Sequence, residues 1–238
     1  MKKLLVSGYW DMSDYLNKYN LKGKRTNDIY YNNIISLFKR VIESNLNLLF
    51  YYGNCSIKVE DIYKNICDKY SEEKVKKLIK IKKINYENLP KYNEGKKVNK
   101  KCGFKFGGPQ YNGSLIYLTP IWLSKVKLCK KGLKYYDDIT YISWIDCINS
   151  KNNIDYIKNF CLDPSYIYTF RYKFNPKMMG GIILTSPVMI KILDKLFDIY
   201  LNNIIEEKKK CFDEEIVLGR VYKDHKELFK EIKMNHNL

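Results

Sequence analysis

Tyr141-Ile142-Ser143-Trp144-Ile145-Asp146 is an apolar, aromatic and β-branched run that closes on a carboxylate. That composition predicts a buried strand. Burying a lone charge is costly, so Asp146 belongs at the strand's exit. In an open α/β sheet, ligands bind in the crevice beyond the carboxyl ends of the strands, where a carboxylate can hold a divalent cation against a phosphate. Asp146 is therefore a candidate metal ligand. Taken alone, an Asp after a strand more often turns the chain or caps the next helix.

Two downstream segments bear on the choice. Met178-Met179-Gly180-Gly181-Ile182-Ile183-Leu184-Thr185-Ser186-Pro187 runs from paired glycines through a short apolar strand into a helix start. Ser186 is the predicted N-cap, with Pro187 at the first helical position. Gly180 and Gly181 would let the backbone approach a ligand closely, or form an ordinary bend. Phe212-Asp213-Glu214-Glu215-Ile216-Val217-Leu218 sets three carboxylates at the start of an amphipathic helix that continues through Val221 and Tyr222. Acidic groups there suit the helix dipole.

Upstream, strands and helices alternate. Lys3 to Ser7 reads as a strand, and Leu46 to Tyr52 as a second. Between them Ile29, Ile34, Ile35, Phe38, Val41 and Ile42 recur at helical spacing behind the capping candidates Thr26 and Asn27. This is a βαβ opening. Val59 to Tyr70 is helical, and Ser71-Glu72-Glu73 starts another helix. From Asn85 to Gly113, Pro90, Gly95, Gly103, Gly107, Gly108 and Pro109 stand among lysines and asparagines, predicting a long loop or excursion. Helix returns between Ile116 and Lys134, with Pro120 as a boundary or kink, and carries Lys125. Ser165 to Phe170 is a further strand, and Val188 to about Ile205 a long amphipathic helix whose inward stripe is core. The predicted organisation is one α/β unit, with the βαβ opening over 1–84, the excursion over 85–113 and a second half over 114–238.

In this order the motifs resemble one family. Trp144-Ile145-Asp146 at a strand end, Gly180-Gly181 before an apolar strand and long helix, and Asp213-Glu214-Glu215 opening a helix followed by Tyr222 and Glu227-Leu228-Phe229 are similar to HtrL/YibB-type proteins, which look like glycosyltransferases of the GT-A fold. The likeness extends to Lys3 through Tyr9, to Arg25 with Tyr30 and Tyr31, and to Trp122-Leu123-Ser124-Lys125. The resemblance implies a single GT-A-like domain, its mixed, mainly parallel central sheet flanked by helices and its N-terminal half a Rossmann-like nucleotide-binding unit. It also implies metal-assisted transfer of a sugar from a nucleotide-diphosphate sugar, a uridine diphosphate (UDP) sugar first, to a glycan, protein or lipid acceptor.

On that reading Mn²⁺ or Mg²⁺ at Asp146, with Lys125 or Arg25, would neutralise the diphosphate as the bond to the anomeric carbon breaks. Ser7, Gly8 and Tyr9, just past the first strand, would hold the nucleotide, Tyr9 by stacking on the base. Gly180 and Gly181 would admit donor or acceptor. Glu214 or Asp213 would be the general base, with N-capping as the structural reading of Asp213. His225 is a surface residue or a further metal ligand. The chain departs from the pattern in one place: Cys147 and Ile148 follow Asp146 where the family has one variable residue and then Gly, and a second ligand of Asp-x-Asp type is also absent. That departure keeps open a catalytically inactive nucleotide-sugar or glycan binding protein of the same fold.

Composition excludes some classes. At 238 residues and 45% hydrophobic, the chain can bury a substantial core and is not a disordered one. A net charge of +17 invites phosphate-rich partners. Only Arg25, Arg40, Arg171 and Arg220 are arginines, though, and arginine is the side chain suited to bidentate phosphate and guanine contacts. A specific nucleic-acid partner is not expected, and most of the charge is read as solvated lysine with a general attraction to anions or membrane surfaces. Seven scattered cysteines without a Cys-x-x-Cys pair suit reduced thiols, hence a soluble protein of the cytoplasm or another reducing compartment. No run approaches the ~18 apolar residues of a membrane span. The apolar run after Met1-Lys2-Lys3 ends too soon for a signal peptide.

Overall fold

The computed structural model describes residues 2–12, 27–53, 58–101, 114–147, 150–159, 162–171, 182–209, 211 and 213–233. Strands β1 (Lys2–Tyr9), β2 (Asn47–Tyr52) and β3 (Ile79–Lys83) are joined through helices α1 (Asn27–Glu43), α2 (Val59–Lys69) and α3 (Glu72–Leu78). Helices α4 (Tyr92–Lys101) and α5 (Ser114–Gly132) lead to β4 (Ile139–Ile145). The chain goes on through α6 (Ser150–Asn159), β5 (Ile167–Arg171), β6 (Ile182–Thr185), α7 (Pro187–Glu206), α8 (Glu214–Asp224) and β7 (Phe229–Lys233).

The strands form one seven-stranded sheet in the order β3-β2-β1-β4-β6-β5-β7. Strand β6 is antiparallel to both its neighbours, and every other pairing is parallel. The fold is thus a mainly parallel α/β sheet flanked by helices, as the sequence predicts. Strand β1 pairs with β2 on one side and β4 on the other, so the helical connections diverge between β1 and β4. Such a divergence opens a crevice at the carboxyl ends of the two strands.

Strand periodicity divides the core. Leu4, Val6, Leu49, Tyr51, Ile142 and Trp144 face a layer built with α5, α7 and α8, whereas Leu5, Tyr9, Leu48, Phe50, Tyr141 and Ile145 face α1, α2, α3 and α6. Successive side chains of a strand alternate between faces, so each inner strand feeds both layers.

Three sequence expectations are corrected. The excursion over 85–113 is partly regular structure: a 3₁₀ turn at Tyr86–Asn88 precedes helix α4, while residues 102–113 lie outside the described residues. Gly95, a loop signal in the sequence, lies where α4 meets α5; a Cβ there would stand 2.7 Å from Pro120 Cγ. Its missing side chain permits close helix approach. Pro120 does not end its helix, which runs from Ser114 to Gly132 through it. The Ser124 hydroxyl donates to the Pro120 carbonyl at 2.7 Å and accepts the Lys91 N–H at 3.0 Å, tying the segment before α4 to α5. Strand β1 runs on through Gly8 and Tyr9, which pair with Tyr51 and Tyr52 and so are not residues of a following loop.

The predicted cap at Ser186 holds: its hydroxyl accepts the Met189 N–H at 3.3 Å with Pro187 in the first turn. At the predicted start of α3, Ser71 accepts the Lys74 N–H at 3.5 Å. Of the candidates for α1, Asn27 is the first residue of the helix and Thr26 lies outside the described residues.

Candidate functional site

Three segments far apart in sequence meet at one ammonium. Helix α5 is enclosed on several sides, with Leu123, Val126, Leu128 and Cys129 all buried, and Lys125 is drawn in with them at 2% exposure. A buried ammonium needs anionic partners. Its Nζ lies 2.5 Å from Glu214 Oε1, 3.1 Å from Asp146 Oδ1 and 3.3 Å from Asp146 Oδ2.

Strand β4 delivers Asp146. Trp144, two residues earlier and so on the same face, donates its indole N–H to Asp146 Oδ1 at 2.8 Å. The Lys125 ammonium also stands 5.8 Å from the centre of the Trp144 ring. Asp146 is thereby held by two donors while 38% of its side chain stays exposed, facing out at the end of β4.

Helix α8 delivers Glu214. Asp213 is its N-cap, accepting the Ile216 N–H on Oδ1 at 3.2 Å. Glu214 takes the first place of a stripe continued by the buried Val217, Leu218 and Val221, and spacings of three, four and seven share one helical face. The carboxylate is carried into the core, 2% exposed, and Lys125 meets it there. As placed, Glu214 is buried against Lys125.

Burial alone would lower the Lys125 pKa, but the charges of Asp146 and Glu214 outweigh it and hold the ammonium above the usual lysine range. For Glu214 burial dominates and pushes the carboxyl up to about 7; Lys125 opposes this, and the like charges of Asp146 and Asp213 add to it. The lysine therefore stays charged through the physiological range, and the glutamate is poised near neutrality.

The nucleotide-binding candidates on β1 are occupied by packing. Ser7 is fully buried, and its hydroxyl has no hydrogen-bond partner among the described residues. Gly8 lies under the Trp10 indole: a Cβ would come 2.7 Å from Trp10 Cζ3 and 3.0 Å from the Tyr51 carbonyl oxygen. Tyr9 is 5% exposed, its ring centre 4.4 Å from that of Tyr30. Trp10 also covers Gly53 and donates its N–H to the Ile84 carbonyl at 2.9 Å. Arg25, Gly180 and Gly181 lie outside the described residues, as does His236. His225, at the end of α8, engages Tyr200 at 3.3 Å and Glu227 at 3.7 Å.

Sequence reasoning singled out Lys125, Asp146 and Glu214 but missed Trp144 as the donor that orients Asp146. The signal was the spacing of two on one strand face. Of the two readings offered for Asp213, base and N-cap, the cap is the one seen, and the helix period separates it from the buried stripe that Glu214 begins.

The residues present do not fit a divalent cation at Asp146. Both carboxylate oxygens already face the Lys125 ammonium, and Oδ1 carries the Trp144 bond as well. Among the described residues no group of three or more His, Cys, Asp or Glu side chains is arranged to hold a metal.

No family model matches the chain, and no curated protein matches it, so the likeness to HtrL/YibB-type proteins stands on the motifs alone. Among solved structures the chain is similar to the glycosyltransferase GlyE of Streptococcus pneumoniae TIGR4, at 10% identity and a TM-score of 0.47, covering 98% of this chain and 45% of that one. It is also similar to a glycosyltransferase involved in glycosylation of the major capsid of PBCV-1, at 12% identity and a TM-score of 0.48, covering 98% and 82% of the two chains. PaToxG glycosyltransferase follows at 12% identity and a TM-score of 0.43, with 94% and 70% covered. None reaches a TM-score of 0.5, so the functional reading rests on this chain's own sheet order and side chains.

Proposed function

We propose that the chain is a glycosyltransferase that takes a nucleotide-diphosphate sugar, a UDP-sugar first, and delivers the sugar to a hydroxyl of a glycan, protein or lipid. One observation carries this reading: Trp122-Leu123-Ser124-Lys125, Trp144-Ile145-Asp146 and Asp213-Glu214-Glu215, three of the segments that resemble glycosyltransferases, converge on the Lys125 ammonium beside the switch-point crevice.

In such a transfer the acceptor oxygen bonds to the anomeric carbon, the bond to the diphosphate oxygen breaks, and the acceptor proton passes to a base or to the departing diphosphate. Asp146, fixed by Lys125 and Trp144, offers its exposed edge to donor hydroxyls. The Lys125 ammonium offsets the Asp146 charge from behind, so a diphosphate meets less repulsion at the crevice. Glu214 positions Lys125 and acts through it.

The burial of Glu214 favours a second reading, a protein of this fold that binds nucleotide sugars without turnover, because the candidate base is buried against Lys125.

A thermal-shift panel of nucleotides and nucleotide sugars, paired with an assay for released nucleoside diphosphate, tests both. A ligand that binds the folded state alone raises the melting temperature. A UDP-sugar should do so, and Asp146→Asn should weaken the shift. Release of UDP supports the transferase, and a shift without release supports the binding protein. A panel in which no nucleotide sugar shifts the wild type would overturn both.

A further inference from the structure

A pyrophosphate approaching Asp146 needs positive charge nearby, and a divalent cation bridging carboxylate and phosphate is the usual source. Resting on the transferase reading, we propose that Lys125 takes the place of that cation, so that donor binding at Asp146 requires no divalent metal.

The ammonium occupies the metal's position. Nζ lies 3.1 Å from one Asp146 oxygen and 3.3 Å from the other, close to the bisector that a cation chelated by the carboxylate would take. Oδ1 is further engaged by the Trp144 N–H at 2.8 Å. A metal ion placed there would stand against an ammonium in a poorly solvated setting, where like charges repel strongly.

Lys125 is also unable to yield. Its side chain is 3% exposed, and Glu214, itself 3% exposed, holds it at 2.5 Å. Moving the ammonium aside would strand a buried carboxylate, a costly outcome. The sequence is consistent with this substitution, since Ile148 stands where an Asp-x-Asp pair would supply its second carboxylate.

Mn²⁺ itself is the probe. The electron paramagnetic resonance signal of free Mn²⁺ is followed as the full chain is titrated, with and without UDP. Wild type and Asp146→Asn should leave the same fraction of Mn²⁺ free, and the UDP-sugar thermal shift of the wild type should be equal in EDTA and in Mn²⁺. Lys125→Met removes the ammonium from between Asp146 and Glu214 and should gain a Mn²⁺ site, which Asp146→Asn added to it should abolish.

Wild type that sequesters Mn²⁺ left free by Asp146→Asn would overturn the proposal, as would a folded Lys125→Met that gains no site. Circular dichroism checks the fold of the variants. Should Lys125→Met not fold, the comparison of wild type with Asp146→Asn decides alone. A panel in which no nucleotide sugar binds under either condition counts against the transferase reading instead, because the Mn²⁺ titration needs no donor.

Discussion

Glu214 and Glu215 are adjacent and chemically identical, yet one helical step separates a buried lysine partner from a half-exposed surface position. The folded protein holds the Glu214 proton up to about pH 7, whereas in the unfolded chain the group ionises near its ordinary value of 4.5. Between those values the folded state binds more protons, so this group's contribution to stability falls as pH rises through the window. Glu214→Gln does not titrate. The difference in melting temperature, wild type minus Glu214→Gln, should therefore move in the negative direction from pH 4.5 to pH 7. A constant difference would refute the shift. Asp213→Ala should cost about 0.5–2 kcal/mol through the lost cap, measured by denaturant unfolding.

Edges and glycines explain which elements were hard to read. The segment Ile79-Lys80-Ile81-Lys82-Lys83 alternates apolar and basic residues because β3 is the last strand on its side of the sheet, and Phe229-Lys230-Glu231-Ile232-Lys233 closes the other side. Charged side chains on edge strands discourage pairing with another chain. Both strands lacked the long apolar run that made β4 plain. Helix α6 was likewise hidden by asparagines, and the buried Ile154 and Ile157 anchor it. Lys3 fastens the end of α6 by donating to the carbonyls of Ile157 and Lys158 at 2.7 and 2.8 Å.

Glycines with different surroundings should respond in opposite directions to alanine. At Gly53 a Cβ would stand 2.1 Å from Trp10 Cδ1, and nothing lies within 4 Å of one at Gly219 in α8. Gly53→Ala should lose about 1–3 kcal/mol by overpacking. Gly219→Ala should gain up to about 1 kcal/mol from helix propensity. Urea denaturation of both variants measures the contrast, and equal effects would show that the Trp10 contact is unimportant.

At the scale of the molecule, much of the positive charge among the described residues meets solvent, with Lys3, Lys91 and Lys125 as buried exceptions. Lys64, Lys69, Lys74, Lys76 and Lys77 on α2 and α3 are all exposed. Binding to DNA or RNA should accordingly be indifferent to sequence and fall steeply with log salt, because only counterion release drives it. Fluorescence anisotropy with two unrelated duplexes from 50 to about 200 mM salt measures this. Retention at the higher salt with preference for one sequence would point to a nucleic-acid function. Among the described residues no helix is long and apolar enough to cross a membrane.

Local order in the chain determined the parallel half of the sheet and its caps. The apolar runs of β1, β2 and β4, the period of α1 and α7, and Ser186-Pro187 each state their structure within a few residues, because burial pattern and capping are short-range. Lys125, Asp146 and Glu214 could be named from the sequence, but their relation could not. They are separated by 21 residues in one case and 89 in the other, and only the packing of α5 between β4 and α8 brings two carboxylates onto one buried ammonium. The same packing assigns Gly8 and Gly53 to the Trp10 indole, since a missing Cβ reads alike in sequence whether a ligand or a side chain fills its place.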